Sequence, residues 1–273
     1  CNAGFDLTGM KEPFSSLTSY SGIWIVNLVV MLLIVTGGIG FLTWDDIRRN
    51  RLHFKRYRMQ SKVILTATAL LILLPALYFY FFEFAGLPAA ERVLCSLFQS
   101  VTPRTAGFNT ADLTAFSETG LLLIIVLMLI GGSPGSTAGG MKTTTFAVLF
   151  SSALSVFRKK EHTHFFGRRL PDGTERNAAT IALMYLMLFL TSGMIISRVE
   201  RLPLLPALFE SASAIGTVGL SLGITPGLGL LSRMILIVLM FFGRVGGLTL
   251  IFAVFSKLDS DHARYPQEKI TVG

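Results

Sequence analysis

Apolar residues in this chain gather into long runs, and the charged residues collect between them. Five runs, at 22–44, 61–82, 120–157, 177–198 and 230–255, are long enough to be bilayer spans. About 20 helical residues cross the roughly 30 Å of membrane hydrocarbon. The third run is interrupted by glycine and proline. Between the second and third runs, residues 91–109 are too short and too polar to cross; their first part predicts two or three helical turns. That pattern fits a re-entrant segment, half a helix in and an extended loop out. Backbone at membrane depth is tolerated only where protein buries it or a wet cavity borders it.

A repeat underlies the pattern. Asn2-Ala3-Gly4-Phe5, Thr105-Ala106-Gly107-Phe108 and Thr217-Val218-Gly219-Leu220 resemble one another. The last two follow similar runs, Leu97-Phe98-Gln99-Ser100 and Leu208-Phe209-Glu210-Ser211. Each leads to a second glycine cluster: Gly107 to Gly131 and Gly219 to Gly243, both 24 residues on, and Gly4 to Gly37, 33 residues on. The unit is span, short helix, glycine bend, span. The first copy lacks its opening span, and the chain begins at Cys1 without an initiator Met, so the sequence reads as a piece of a longer chain.

Composition agrees with a membrane protein. Hydrophobic residues make up 52% and charged residues 15%, against about 25% charged in soluble domains. The net charge of +8 would raise nucleic acid as a partner, but no aromatic interleaving or binding module accompanies it. The positive-inside rule accounts for it better. Arg48, Arg49, Arg51, Lys55, Arg56, Arg58 and Lys62 share one inter-span loop; Arg158, Lys159, Lys160, Arg168, Arg169 and Arg176 share another. Both loops are expected in the cytoplasm, as is the tail. Cys1 and Cys95 form no paired motif, so neither a disulfide framework nor a metal site is expected, and Cys95 reads as a packing residue. An intramembrane enzyme would need paired acids, a nucleophile with its base or a metal cluster within the spans. All four histidines, His53, His162, His164 and His262, fall between or beyond the spans, and no enzyme is expected.

The chemistry that fits is passage of a monovalent cation. Glycine at each bend allows backbone angles a Cβ forbids, so that successive carbonyl oxygens can face one axis and replace the hydration shell of the ion. A helix aiming its C-terminal end at that axis adds partial negative charge. Glycine also serves close packing of membrane helices, a serious alternative for Gly37, Gly38, Gly131 and Gly243. Asp6 and Asp112 follow the bends and sit either at an outer mouth or in a solvated loop. Gly131, Gly132, Pro134, Gly135, Gly139 and Gly140 break the third run near its middle. That break carries polar Ser133, Ser136 and Thr137, and its bland reading is a packing kink. Arg244 falls within the last apolar run, where an intramembrane charge faces a cavity or a partner. Glu210 is expected to cap or bond within its short helix, and Glu83 is the other acid nearest the spans.

At these residues the chain resembles the Trk/Ktr/HKT superfamily of potassium transporters, most of all the KtrB-type bacterial pore-forming subunit. The strings are NAGF at 2–5, VTPRTAGFN at 101–109, GSPGSTAGGMKTT at 132–144, GTVGLS at 216–221, FGRVG at 242–246 and RYPQEKITVG at 264–273. The resemblance implies an all-α integral membrane fold of span, re-entrant pore loop, span units, pseudo-fourfold about a central ion pore. Residues 1–60 would be a partial second unit, 61–170 a third with the broken gating span, 171–257 a fourth and 258–273 a cytoplasmic tail. By resemblance, K+ passes backbone carbonyls of Asn2, Ala3, Gly4, Thr105, Ala106, Gly107, Thr217, Val218 and Gly219. The resemblance likewise implies that Gly132, Ser133, Pro134, Gly135, Ser136, Thr137, Lys142 and Arg244 belong to a gate, with Arg244 an electrostatic barrier or a latch to its carbonyls and Lys142 divided evenly between structural and gating roles. No cofactor is implied beyond the transported K+ and a possible Na+ dependence. The family further implies a homodimer in the bacterial cell membrane, with a soluble KtrA-like nucleotide-binding ring on the cytoplasmic face. A sodium-permeable relative and a non-conducting scaffold are the alternatives.

Overall fold

The computed structural model describes residues 16–246, apart from 52 and 161. The expectations for Asn2, Ala3, Gly4 and Asp6, and for the tail, lie outside the described residues. Nine helices are seen among the described residues: α1 Trp24–Gly38, α2 Phe41–Asn50, α3 Met59–Tyr78, α4 Ala89–Val101, α5 Glu118–Leu129, α6 Thr143–Phe157, α7 Thr174–Glu200, α8 Leu204–Ile215 and α9 Leu230–Val245. A π-helical turn, Phe79–Glu83, extends α3.

With that turn, α3 is 25 residues long, and α7 has 27; both are long and apolar enough to cross a membrane. The apolar run at 22–44 is not one straight span. It bends by 100° between α1 and α2. The sequence pattern misses this because apolar residues continue through Phe41, Leu42 and Trp44 on both sides of the corner. The bend is made at Gly40, φ 86°, and held from outside: Phe41 N donates to Gly135 O at 3.0 Å.

The interrupted third run divides as expected, into α5, an irregular segment at 130–142, and α6. The last run is helical to Val245, where Gly246 turns the chain with φ 88°. The short helices α4 and α8 have 13 and 12 residues, too few to cross. Both start at a proline, Pro88 and Pro203, with nearly the same backbone angles, the residue pre-set for a helix start.

The all-helical expectation needs one amendment. A two-stranded hairpin, β1 His164–Phe165 and β2 Arg168–Arg169, stands in the second basic loop, turning at Phe166 and Gly167 with positive φ at both. Its Phe166 ring lies 6.0 Å from the Phe54 ring of the first basic loop, so the two basic loops meet at one end of the molecule.

The main core lies where α8 packs between α5, α7 and α9. Phe209, Ile215, Ile124 and Met128 are almost fully buried there. A smaller cluster joins α1 to α4 through Met31, Ile34 and Phe98. Many large side chains on α1, α3, α7 and α9 are exposed instead, Leu32, Leu74, Leu183 and Leu230 among them. Outward apolar faces of this kind suit lipid as solvent.

Candidate functional site

The bend after α4 and the bend after α8 share one backbone. Thr105 and Gly107 have φ of 62° and 82°; Thr217 and Gly219 have 51° and 94°. Ala106 and Val218 between them do not. Positive φ at a β-branched threonine is uncommon and costs energy, so its occurrence twice at matched positions marks a backbone imposed by the surroundings. The two bends also touch. A Cβ on Gly107 would lie 2.5 Å from Val218 O, and one on Gly219 would lie 3.6 Å from Gly107 Cα. Glycine is therefore required at 107 by close approach as well as by φ.

Different side chains hold the two bends. Thr102, the residue capping α4, donates from its hydroxyl to Phe108 O. Beside α8, Glu210 is buried and accepts from Ser221 Oγ at 2.7 Å, Leu222 N at 3.0 Å and Thr225 Oγ1 at 2.7 Å. The expectation for Glu210 is thus corrected: it ties its helix to the chain beyond the bend rather than bonding within the helix. Glu83 accepts from Ser117 N at 3.1 Å and from Ser117 Oγ, fixing the start of α5. Asp112 caps the Leu113–Ala115 turn and accepts from Thr114 N at 2.9 Å.

The segment at 130–142 lies against the second bend. It closes on itself through Gly131 N to Met141 O, 2.8 Å, and Thr143 N to Gly132 O, 3.0 Å. One side meets the α1–α2 corner: Ser133 N donates to Gly38 O at 2.9 Å. The other meets α8 and α9. Gly140 N donates to Gly243 O at 3.1 Å, and a Cβ on Gly139 would overlap the Thr217 side chain. Pro134, Gly135 and Ser136 form the turn of the segment, and Ser136 Oγ accepts from Ala138 N.

Two cations tie into this segment. Lys142 Nζ donates to Ala138 O at 2.7 Å, and Arg244 Nη1 donates to Thr137 O at 2.5 Å. Arg244 thus bonds a carbonyl of the broken segment. Its setting differs from the expected mid-span burial: α9 ends at Val245, so Arg244 lies in the last helical turn with its side chain exposed among the described residues.

Of the residues singled out in the sequence, those at 105–107 meet those at 217–219, and the segment at 132–142 touches Thr217 through Gly139 and is bonded by Lys142 and Arg244. Two further groups were missed. Arg104 is 2% exposed, and none of its guanidinium nitrogens has a hydrogen-bond partner among the described residues. Gln99, fully buried at the α4 position matching Glu210, likewise has no partner there at either amide atom. The signal for Arg104 was available, as the lone charge in the otherwise uncharged string at 101–109.

The model of a cation transport protein family, TrkH, matches residues 1–264. The chain belongs to the TrkH cation transport family. That family comprises transporters, not enzymes, and its apolar spans make the chain an integral membrane protein. The potassium/sodium uptake protein NtpJ of Enterococcus hirae is 38% identical over 284 residues, covering 100% of this chain and 62% of that protein. The Ktr system potassium uptake protein B of Bacillus subtilis is 36% identical over 278 residues, covering 100% of this chain and 61% of the relative. A Ktr system potassium uptake protein B of Vibrio alginolyticus is 33% identical, with 60% of it covered. The chain thus spans a little over three fifths of the length of these relatives. The crystal structure of the potassium transporter TrkH from Vibrio parahaemolyticus superposes with a TM-score of 0.71 over 88% of this chain and 54% of that one, at 21% identity, which establishes the likeness of fold.

Proposed function

We propose that this chain forms the ion path of a potassium uptake system, in which K+ sheds water against backbone carbonyls of Thr105, Ala106, Gly107, Thr217, Val218 and Gly219. The carrying observation is the contact between two bends of matched, alternating backbone sign, each at the C-terminal end of a helix too short to cross. Neither bend offers a carboxylate, so main-chain oxygens are the available ligands. Asn2, Ala3 and Gly4 would line a third side, completing with a further unit a pseudo-fourfold ring. The units run 1–60, 61–170 and 171–257, with 258–273 as a tail. A membrane potential of 100 mV contributes about 2.3 kcal/mol per charge, so uptake needs no reaction within the subunit.

The segment at 132–142 is the gate in this reading, held by Arg244 and Lys142. Arg244 to Thr137 O is its release point in this reading, a side-chain bond from α9 that stands beside the main-chain bond from Gly140 N to Gly243 O. The basic end, placed in the cytoplasm of a bacterial cell, is where a nucleotide-binding ring would dock on a homodimer, by likeness to the Ktr system proteins. Sodium permeation is the second reading, favoured by the name of the Enterococcus hirae relative.

Competition of Na+ against K+ uptake in cells lacking other K+ importers separates these. Strong K+ preference in the wild type, eroded in Gly107→Ser, supports the potassium reading. Equal competition by Na+ in the wild type supports the sodium one, and unchanged competition in Gly107→Ser removes the filter assignment.

A further inference from the structure

We propose that the groove between α3, α5 and α6 binds one anionic glycerophospholipid, with its acyl chains along the apolar wall and its phosphate at Lys62. The groove encloses about 470 Å³. Leu70 and Leu74 of α3, Val126 of α5 and Phe150 of α6 line it, and all four are exposed. It is open to what surrounds the protein, and its wall is almost wholly apolar.

One end of the groove is charged. Phe165 and Phe166 of the hairpin close it there, and Lys62 Nζ stands 5.8 Å from the centre of the Phe166 ring. Lys62 precedes Val63, itself in the wall. Arg158, Lys159 and Lys160 leave the end of α6 and Arg168 lies on β2, all exposed. Arg58 and Arg169 have acidic partners, whereas no ion pair is seen for these five cations among the described residues. An apolar slot between spans ending in unneutralised cations has the chemistry that recognises an anionic headgroup. Phe166 adds to this reading. It stands at the first central position of the two-residue hairpin turn, where positive φ is required, and the turn sets its aromatic ring at the slot mouth.

Lipid fits better than a helix from another protein. Membrane helices associate through small residues that let backbones approach, and this wall is mostly Leu, Val and Phe, with Ala67 and Ala147 as its small members. The groove also lies within one span–span unit, flanked by α4 against α3 and by α7 against α6.

The occupant would touch both halves of the broken span. Ile130 lies in the wall and bridges to Met141 across the base of the irregular segment, and α6 begins two residues later. A lipid wedged here braces α6 in its offset position, so the phospholipid composition of the membrane sets how readily the segment moves. That consequence rests on the gating role proposed above; the binding does not.

The test uses the full-length protein reconstituted in phosphatidylcholine vesicles with and without phosphatidylglycerol, retained lipid being counted by native mass spectrometry and flux measured in parallel. Wild type is expected to keep phosphatidylglycerol in preference to phosphatidylcholine. Ala147→Trp fills the slot and abolishes retention. Lys62→Gln and Arg168→Gln, which leave the wall intact, each weaken it about fivefold, the worth of one cation near an anionic headgroup. Equal retention of both lipids, retention unchanged in all three variants, or cross-links between two copies through position 147 would overturn the proposal. Lost retention with unchanged flux would leave the lipid site standing and remove its coupling to the segment.

Discussion

The bends at 105–107 and 217–219 share a backbone and little else. The second is strapped by Glu210, whose carboxylate gathers Ser221, Leu222 and Thr225. The first has a glutamine at that helical position with neither amide atom partnered, and is held by Thr102 to Phe108 O and by Leu17 N to Asn109 O at 2.9 Å. Conformation agrees where supports differ. What the repeat preserves is therefore the path of main-chain oxygens, the result expected if those oxygens, rather than any side chain, meet the ion.

Glycine substitutions break the comparison most severely. Gly107→Ala forces a Cβ against Val218 O in addition to the left-handed penalty of about 1–2 kcal/mol. Gly219→Ala meets only Gly107 Cα at 3.6 Å and bears the left-handed penalty alone. Uptake and K+ over Na+ preference should fall further in Gly107→Ala than in Gly219→Ala; equal defects would mean the contact between the bends is unimportant.

Loosening the segment beside the second bend comes next. Arg244→Gln removes a charged hydrogen bond worth about 1.5–3 kcal/mol, and flux should rise about tenfold where the segment is the barrier. Deleting 133–139 should raise it further. Loss of flux in both, with normal membrane insertion, would make the segment a structural element.

Smaller effects sharpen the contrast in supports. Glu210→Ala strands three donors and should lower stability by about 3 kcal/mol. Ser221→Ala removes one donor to Glu210 and the acceptor of Gly223 N, and should cost about 1–2 kcal/mol. Gln99→Leu, at the matching position, replaces an unpartnered buried amide and should be neutral or stabilising. Thermal unfolding in detergent ranks the three. A Gln99→Leu loss as large as that of Glu210→Ala would reveal a partner for Gln99 outside the described residues.

Much of this was legible in the sequence, and the misses have physical causes. Spacing exposed the two bends and the broken run, because glycine and proline stand where helix would otherwise continue. The corner at Gly40 was hidden, since its stabilising contact is Gly135 O, 95 residues away. The hairpin at 164–169 offered only Gly167 as a turn signal. Glu210 was read as a local cap because partners 11 to 15 residues on follow from the bend, not from helical periodicity. Arg244 was judged by an apolar run that continues past the residue where the helix stops.

Anomalous scattering from crystals of the full-length protein grown in Tl+ tests the central claim most directly. Peaks in contact with carbonyl oxygens of Thr105, Ala106, Thr217 and Val218, diminished in Gly107→Ala, are the predicted result. Peaks confined to the region of Arg244 and Thr137, with none between the bends, would contradict it.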